Sequence, residues 1–472
     1  MKNMKSKLLF GDKVVNSNTE PKTYASIYAI HKYWAKKPHN IINEYIQKYS
    51  KKNDVILDPF CGSGIALIEA YNSKRKSIGI DINPIASSIS KAILTPIDIN
   101  KFEKEFLKIE VDCKEKINSF YKIKRNTKTY VGTHFVWMNG RIDEVRYQNG
   151  KSVLLKPTRS DIQLANSFSY SKIKQFFPKD KLFENHRINA TSNIRICELF
   201  TPRNTSALAI LLDRINKIED KKIREVFRIC FSSMLGQTSK MVFVINNSIT
   251  DNGKKKLKRR KVGSWIIGYW IPNEHFELNV WNSFVSRYDK MFSSKKLQQE
   301  EFGKPEFVNN FKELRKGNIL LLNKSAIQGL KKIPKNSVDY IITDPPHGDR
   351  IPYLELSQMW NSWLKNKVNY KNEIIISGAK NRNKDIENYL ELLEKTMFEM
   401  VRVLKPNRYL TLIFNTHSER TWQEIFNFTK DIGLQIHDIS TMTYSRNSVV
   451  QEHKEGGLRF DFVLTFKKLK SN

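Results

Sequence analysis

Two groups of residues have the types and spacing to do chemistry together. The first is Asp58-Pro59-Phe60-Cys61-Gly62-Ser63-Gly64, with Asp81-Ile82-Asn83 further on. Glycines let a ligand come close to the backbone, and the amides that open a helix are ready donors. An acid ending the next strand, about 20 residues later, can accept from ribose hydroxyls. Together they predict a pocket for a cofactor containing adenosine. The competing reading is a tight turn with a helix-capping Asp. The second group is Thr343-Asp344-Pro345-Pro346-His347-Gly348-Asp349. A double proline makes a stiff corner, and an Asp beside its carbonyls is a rigid set of acceptors. Such a set suits an exocyclic amine, whose two N–H groups need two acceptors. Here the competing reading is an ordinary turn that ends a strand.

Elements of an α/β fold must position both groups. Residues 39–50 have a helical pattern. Residues 55–60 are a short apolar run that a proline ends, CGSG is a tight loop, IALIEAYNS is helical, and 77–83 is a second buried strand. That strand–loop–helix–strand unit predicts parallel neighbours. The rhythm resumes near residue 317. Strands are expected at 318–323, 338–346 and 409–414, and a helix at 387–405. TWQEIFNFTKDIG is a further helix closed by Gly433, and two strand-like segments, LQIHDIS and RFDFVLTFKK, end the chain.

Between these halves the pattern changes. Residues 128–156 carry Asn139-Gly140 and Asn149-Gly150 between strand-like runs, the signature of tight hairpins, so a three-stranded antiparallel meander is expected. Helical spacing follows in SALAILLDRINKI and KKIREVFRICFSSML. Then comes KKKLKRRK, residues 254–261, with Trp265, Tyr269 and Trp270 behind it. That run reads as a basic loop beside aromatics, suited to a nucleic-acid groove, or else as a solvated surface loop. The expected layout is residues 1–95 as the first part of a core, 96–310 as an insert, and 311–472 as the second part. The insert would hold the meander at about 128–156, helices at about 198–242 and the basic loop at about 251–262.

Composition narrows the function. The chain has 472 residues, with Lys+Arg 81 against Asp+Glu 48, a formal charge of +33. An excess this large attracts polyanions, nucleic acid first; a Lys-rich composition from an AT-rich genome is the alternative. With 40% hydrophobic and 11% aromatic residues, global disorder is excluded. No run of 18 apolar residues exists, and the first residues do not read as a signal peptide. Cys61, Cys113, Cys197 and Cys230 are far apart, so neither a disulfide framework nor a cysteine zinc site is expected. A cytoplasmic protein with no metal is the expectation.

DPFCGSG followed by GIDIN, with DPPH downstream, resembles the DNA amino-methyltransferases. Enzymes of that family use S-adenosyl-L-methionine and methylate adenine N6 or cytosine N4. HKYWAKKPHNII (31–42) resembles the family's segment upstream of the glycine loop, NKSAIQGLKKIPKNSVDYIITDPP (323–346) the approach to its catalytic motif, and DPPHGDRIPYLELSQMWNSWL (344–364) a subgroup with an acid, a Tyr and ELS after it. ELFTPRNTSALAIL and SSMLGQTSKM extend the likeness into residues 198–242. The resemblance implies a Rossmann-like class I methyltransferase core of about seven strands, the last hairpin antiparallel, with a large α+β insert. It implies cofactor contacts from Lys37, Pro38, Asp58, Pro59, Phe60, Gly62, Ser63, Gly64, Asp81, Ile82, Asn83 and, where the family often has Asp, Ser325.

It also implies that Asp344 and the Pro345 carbonyl accept the two amine hydrogens, with Pro346 shaping the corner. His347 stands where the family usually has Tyr, Phe or Trp against the flipped base. The substrate implied is double-stranded DNA with a base flipped out, and the setting a restriction–modification system with a cognate restriction endonuclease. Asp344 favours adenine, since the cytosine enzymes more often have Ser there. Lys254, Lys255, Lys256, Lys258, Arg259, Arg260 and Lys261 are the expected backbone contacts. Two other readings stand beside this one: a guanine-N2 methyltransferase of transfer RNA, which Gly348 fits, and a catalytically silent DNA-binding subunit, which His347 and Ser325 fit.

Overall fold

The computed structural model describes residues 15–16, 19–22, 26–251, 254–265, 267–379, 381–443 and 460–470. The first half of the core supplies strands β1 (Val15–Asn16), β2 (Val55–Asp58) and β3 (Lys76–Asp81). The middle supplies β4 (Lys122–Arg125), β5 (Lys128–Met138), β6 (Arg141–Asn149), β7 (Lys151–Leu155), β8 (Val244–Asp251), β9 (Lys254–Val262) and β10 (Glu274–Leu278). The last part supplies β11 (Phe307–Val308), β12 (Ile319–Asn323), β13 (Val338–Thr343), β14 (Leu404–Phe414), β15 (Leu434–Thr443) and β16 (Phe460–Lys468).

Nine strands form one sheet in the order β1-β15-β16-β14-β13-β2-β3-β12-β11. All neighbours are parallel except β16, which runs against both β14 and β15. This is the Rossmann-like core with its antiparallel last hairpin. Side chains alternate between faces: Ile56, Tyr340 and Ile342 enter one core cluster, Leu57 and Ile341 the other. Both faces are therefore apolar, as a parallel sheet requires. The helices His39–Tyr49, Ile65–Asn72 and Pro84–Leu94 lie on the face of the first cluster, which runs on behind them into Phe102, Phe227 and Tyr288 of the helices Ile99–Ser119, Lys221–Thr238 and Val280–Glu301.

Strand direction builds the site. β2, β3 and β13 all end on one edge, at Asp58, Asp81 and Thr343. Ligands of such sheets bind at that edge. Because β16 is antiparallel, its beginning lies on the same edge, with Phe462 opposite Phe414 at the end of β14. Asp461 is thereby delivered beside Asp344 from a sequence distance that local pattern does not reveal.

The middle of the chain departs from expectation in four places. The meander forms, but β10 and β4 flank β5 to make five strands. Asn139 and Gly140 both have positive φ, 50° and 77°, as the first turn needs, whereas the second turn bends on Gly150 alone, with Asn149 paired to Lys151. The basic run is not a loop: residues 254–261 lie in β9, paired antiparallel with β8. β11, at Phe307–Val308, already belongs to the large sheet, so the core resumes before residue 311.

The insert grips the segment after the catalytic motif. Tyr269, almost fully buried, donates to the Glu355 and Leu356 carbonyls, and Gln358 donates to the Lys181 carbonyl. Asn185 Nδ2 donates to Glu355 at 2.6 Å. Tyr269 is therefore a structural tie, and Trp265 packs against Trp34 and Trp360; of the three aromatics after the basic run, Trp270 is the exposed one. No helix among the described residues is long and apolar enough to cross a membrane.

Candidate active site

A cavity of about 950 Å³, its open mouth included, lies along the carboxyl edge of β2, β3 and β13. Its wall brings together most of the cofactor and catalytic residues singled out by the sequence: Lys37, Asp58, Pro59, Phe60, Gly62, Ser63, Asp81, Ile82, Asn83, Asp344 and Pro346. The two motifs, nearly three hundred positions apart, share one cavity because β13 pairs with β2, Ile341 opposite Leu57. Thr343 fastens them further, its hydroxyl donating to Asp58 Oδ1 at 2.6 Å.

The glycine loop is held from beneath. Asp81 Oδ2 accepts from the Gly62 amide at 2.8 Å, and Oδ1 accepts from the Asn83 amide at 2.8 Å. Asp81 is thus first a clamp for the loop, while each oxygen keeps a second lone pair for a ligand. Gly62 lines the cavity with φ +50°, and a Cβ there would stand 3.2 Å from the Tyr33 ring. Gly64 starts the helix Ile65–Asn72 at φ +84°, and a Cβ would sit 2.7 Å from Ser90 Oγ. Gly64 therefore serves loop geometry and does not line the cavity.

Pro38 and Ser325 likewise stand off the cavity wall. Pro38 opens the helix His39–Tyr49, its carbonyl accepting from the Ile42 amide. Ser325 caps the short helix Ala326–Leu330, accepting from the Gln328 amide at 3.4 Å. Asn83 is buried; it caps the helix Pro84–Leu94 and donates to Ser357 Oγ at 2.7 Å, tying the loop to the segment after the catalytic motif. Lys37 lines the cavity, but its ammonium reaches acids: Asp344 Oδ2 at 3.0 Å and Asp461 Oδ2 at 2.9 Å.

The sequence reading missed Tyr33, Tyr353 and Glu373, all on the cavity wall. Tyr33 and Tyr353 stack at 6.1 Å between centroids. Both stand inside segments that carry the family resemblance, so the signal was present; Glu373 has none. Its carboxylate accepts from the Leu354 amide and pairs with buried Arg382.

His347 does not face the cavity. Its ring packs edge-on against Phe414 at 4.7 Å and is buried. Arg350 Nη1 sits 2.8 Å from Nδ1. Arginine can only donate, so Nδ1 is the acceptor in this contact and the ring's hydrogen lies on Nε2. That nitrogen is 2.9 Å from Asp344 Oδ1, but its N–H aligns on the Ile413 carbonyl at 3.3 Å. Asp344 Oδ1 is consequently a buried oxygen with no hydrogen bond. The double-proline corner is fixed separately: Tyr389 donates its hydroxyl to the Pro346 carbonyl at 2.7 Å. The side chains of residues 254–259 lie outside the description. Arg260, at the strand's inner end, pairs with Asp143, Glu144 and Glu274 and so belongs to the insert's framework, while Lys261 is exposed.

The donor set fits S-adenosyl-L-methionine. Burial pushes the Asp58 carboxyl up to about 7, with the neighbouring Asp344 and Asp81 adding to it against hydrogen bonds from Thr343 and Phe60. Burial pushes Asp81 up to about 6, held back by the Asn83 and Gly62 amides, and raises Glu373 as well. A wall of acids that resist ionising alone gains from a cationic ligand, which the sulfonium is. Backbone amides bare of side chains, stacked tyrosines and paired carboxylates supply the adenosine end.

These shifts have a sign in stability. An acid whose folded value lies above its ordinary 3.8 binds more protons folded than unfolded, so it costs stability as pH rises from about 4 to about 7. The cofactor-free protein is expected to lose stability over that range, and Asp58→Asn to recover it at pH 8 while changing little at pH 4. Thermal unfolding across pH reads this; an Asp58→Asn midpoint at pH 8 below that of the parent protein would refute the assignment.

The comparisons agree with the site. The model of a DNA methylase family matches residues 6–92 and 338–472, the two stretches that hold the motifs. Type II methyltransferase M.MvaI of Kocuria varians is 20% identical over 456 residues, 92% of this chain and 80% of that protein. Type II methyltransferase M.MjaII of Methanocaldococcus jannaschii is 33% identical over 89 residues, 19% of this chain and 17% of its own length. Among solved structures, a Thermus thermophilus protein described as a DNA modification methylase, solved with S-adenosyl-L-methionine, is 15% identical. It covers 31% of this chain and about half (54%) of its own, at a TM-score of 0.19. That overlap is slight; the order of strands is what establishes the fold. Its motifs, its sheet and these matches make the chain an S-adenosyl-L-methionine-dependent DNA methyltransferase similar to the DNA methylase family, whose model covers a little under half of it.

Proposed function

We propose that this protein transfers a methyl group to the exocyclic amine of a base flipped out of duplex DNA, adenine N6 before cytosine N4. One observation carries the reading: Asp344 stands on the wall of the cavity that the glycine loop also lines, and its Oδ1 makes no hydrogen bond although His347 Nε2 lies 2.9 Å away. A buried oxygen left this way costs about 1–3 kcal/mol, which an amine hydrogen from a substrate would offset. When bound, S-adenosyl-L-methionine supplies an electrophilic methyl group on a positive sulfur. The chain's own work is positioning. Asp344 accepts one amine hydrogen. The family resemblance gives the other hydrogen to the Pro345 carbonyl; the neighbouring Pro346 carbonyl accepts from the Tyr389 hydroxyl. Held by both hydrogens, the amine turns its lone pair out of conjugation and along the line of attack. His347, turned toward Phe414, does not stack on the base in this arrangement; Tyr33, Trp34, Phe60 and Tyr353 are the aromatic residues on the wall.

The insert, residues 96–310, carries target recognition in this reading. The β8–β9 hairpin brings Lys254, Lys255, Lys256, Lys258, Arg259 and Lys261 to the DNA backbone, and the net charge of +33 supports such contacts. The Type II names of both relatives support a restriction–modification setting with a cognate endonuclease.

Two experiments test this. The protein is incubated with tritium-labelled S-adenosyl-L-methionine and either mixed-sequence duplex DNA or total transfer RNA, and the products are digested to nucleosides. Labelled N6-methyldeoxyadenosine is expected; N4-methyldeoxycytidine would reassign the base, and label in RNA alone would overturn the reading. Replacing Lys254, Lys255, Lys256, Lys258, Arg259 and Lys261 by neutral residues, with Arg260 kept for the framework, is expected to weaken DNA binding across sequences. It should also flatten its salt dependence, by about one unit of slope for every phosphate no longer neutralised. An unchanged slope would free the hairpin of that role.

A further inference from the structure

Around Asp344 the structure closes a ring of five side chains drawn from three distant parts of the chain. Asp344 Oδ2 meets Lys37 Nζ at 3.0 Å, and the same ammonium meets Asp461 Oδ2 at 2.9 Å. Asp461 Oδ1 lies 3.5 Å from Arg350 Nη1, Arg350 donates to His347 Nδ1 at 2.8 Å, and His347 Nε2 returns to within 2.9 Å of Asp344 Oδ1. The charges alternate in sign from Asp344 through Lys37 and Asp461 to Arg350. Asp461 is fully buried. Burial works against its charge, yet Lys37, then His347 and Arg350, hold it well below the usual carboxylate range. Neither family motif contains Asp461; it reaches the ring only because β16 runs antiparallel.

We propose that Asp461 is a positioning residue for methyl transfer, anchoring Lys37 and Arg350 so that Asp344 stays aimed and His347 stays in one tautomer. The inference rests on Asp344 being the amine's acceptor. Its logic is geometric. A lysine ammonium on a flexible stem fixes a carboxylate only if its far side is fixed too, and Asp461 supplies that far side from a strand whose position the sheet determines. Arg350 does the same for His347, occupying Nδ1 so that the ring keeps one orientation. Asp344 Oδ1, although His347 Nε2 lies 2.9 Å from it, makes no hydrogen bond: Lys37 takes Oδ2, and the His347 N–H aligns on Ile413. None of the five contacts uses the glycine loop, so loosening the ring should disturb the reacting amine and spare cofactor binding.

The experiment measures kcat, the KM for DNA and the Kd for S-adenosyl-L-methionine for Asp461→Asn, Lys37→Met and the two combined, with Asp344→Ala beside them. Misplacing reacting groups by about 1 Å costs on the order of 100-fold. Asp461→Asn is therefore expected to lower kcat by roughly 10- to 100-fold, with KM and Kd within about threefold. The double variant should be no worse than its poorer single, because both break one device. Lys37→Arg should recover part of the rate that Lys37→Met loses. If removing a buried partner unfolds the chain, Arg350→Met carries the test from a partly exposed side chain and should show the same loss in kcat alone. A normal kcat in Asp461→Asn or Arg350→Met, or a loss that appears in Kd instead, overturns the proposal. A fully active Asp344→Ala would instead sink the function assigned to the motif; an inactive Asp344→Ala beside a normal Asp461→Asn removes the clamp alone.

Discussion

Carboxylates at the ends of buried parallel strands are expensive to keep charged, because burial takes away their water and their neighbours repel them. This protein puts Asp58, Asp81 and Asp344 on one such edge. It treats each differently. Asp81 is given two backbone amides and holds the glycine loop. Asp58 is given Thr343 and the Phe60 amide, and burial still raises it. Asp344 is given a cation on one oxygen and, on the other, only the His347 ring 2.9 Å away with no hydrogen bond made. The edge is thus arranged around what it lacks: a positive ligand for the upper part and an N–H donor for the lower.

The rest of the architecture serves that edge. Parallel strands bring the two motifs side by side, and one reversed strand adds Asp461 from the far end of the chain. The insert does not float away from this chemistry. Through Tyr269, Asn185 and Lys181 it binds the helices Tyr353–Leu356 and Gln358–Trp363, and Tyr353 stands on the cavity wall. Contacts made by the insert therefore have a short covalent route, through Glu355 and Arg350, to the catalytic corner.

Much of this was legible in the sequence. The glycine loop, the acid at Asp81 and the double proline are local patterns, and strands and helices near them obey simple periodicities. What stayed hidden depends on pairing across distance. No local signal tells that Asp461 meets Lys37, that Glu373 lines the cavity, or that β10 joins a meander more than a hundred residues earlier. Lys37 was placed with the cofactor by resemblance, whereas its charge is drawn to two acids. His347 was expected to face the base; an Arg three residues on turns it inward. The basic run was read as a loop because its lysines hide the alternation that pairs it with β8. Ser325 looked like a ligand by position, while its hydroxyl serves the helix it begins.

The central claim is that the target amine fills the open acceptor on Asp344. The most direct measurement is a structure of the protein with S-adenosylhomocysteine and a duplex containing its methylation site. The account predicts a base outside the stack, its exocyclic nitrogen about 2.7–3.2 Å from Asp344 Oδ1 and from the Pro345 carbonyl, and Lys37 still between Asp344 and Asp461. A base that stays stacked, or an amine that meets other acceptors while Asp344 Oδ1 remains unfilled, would contradict it.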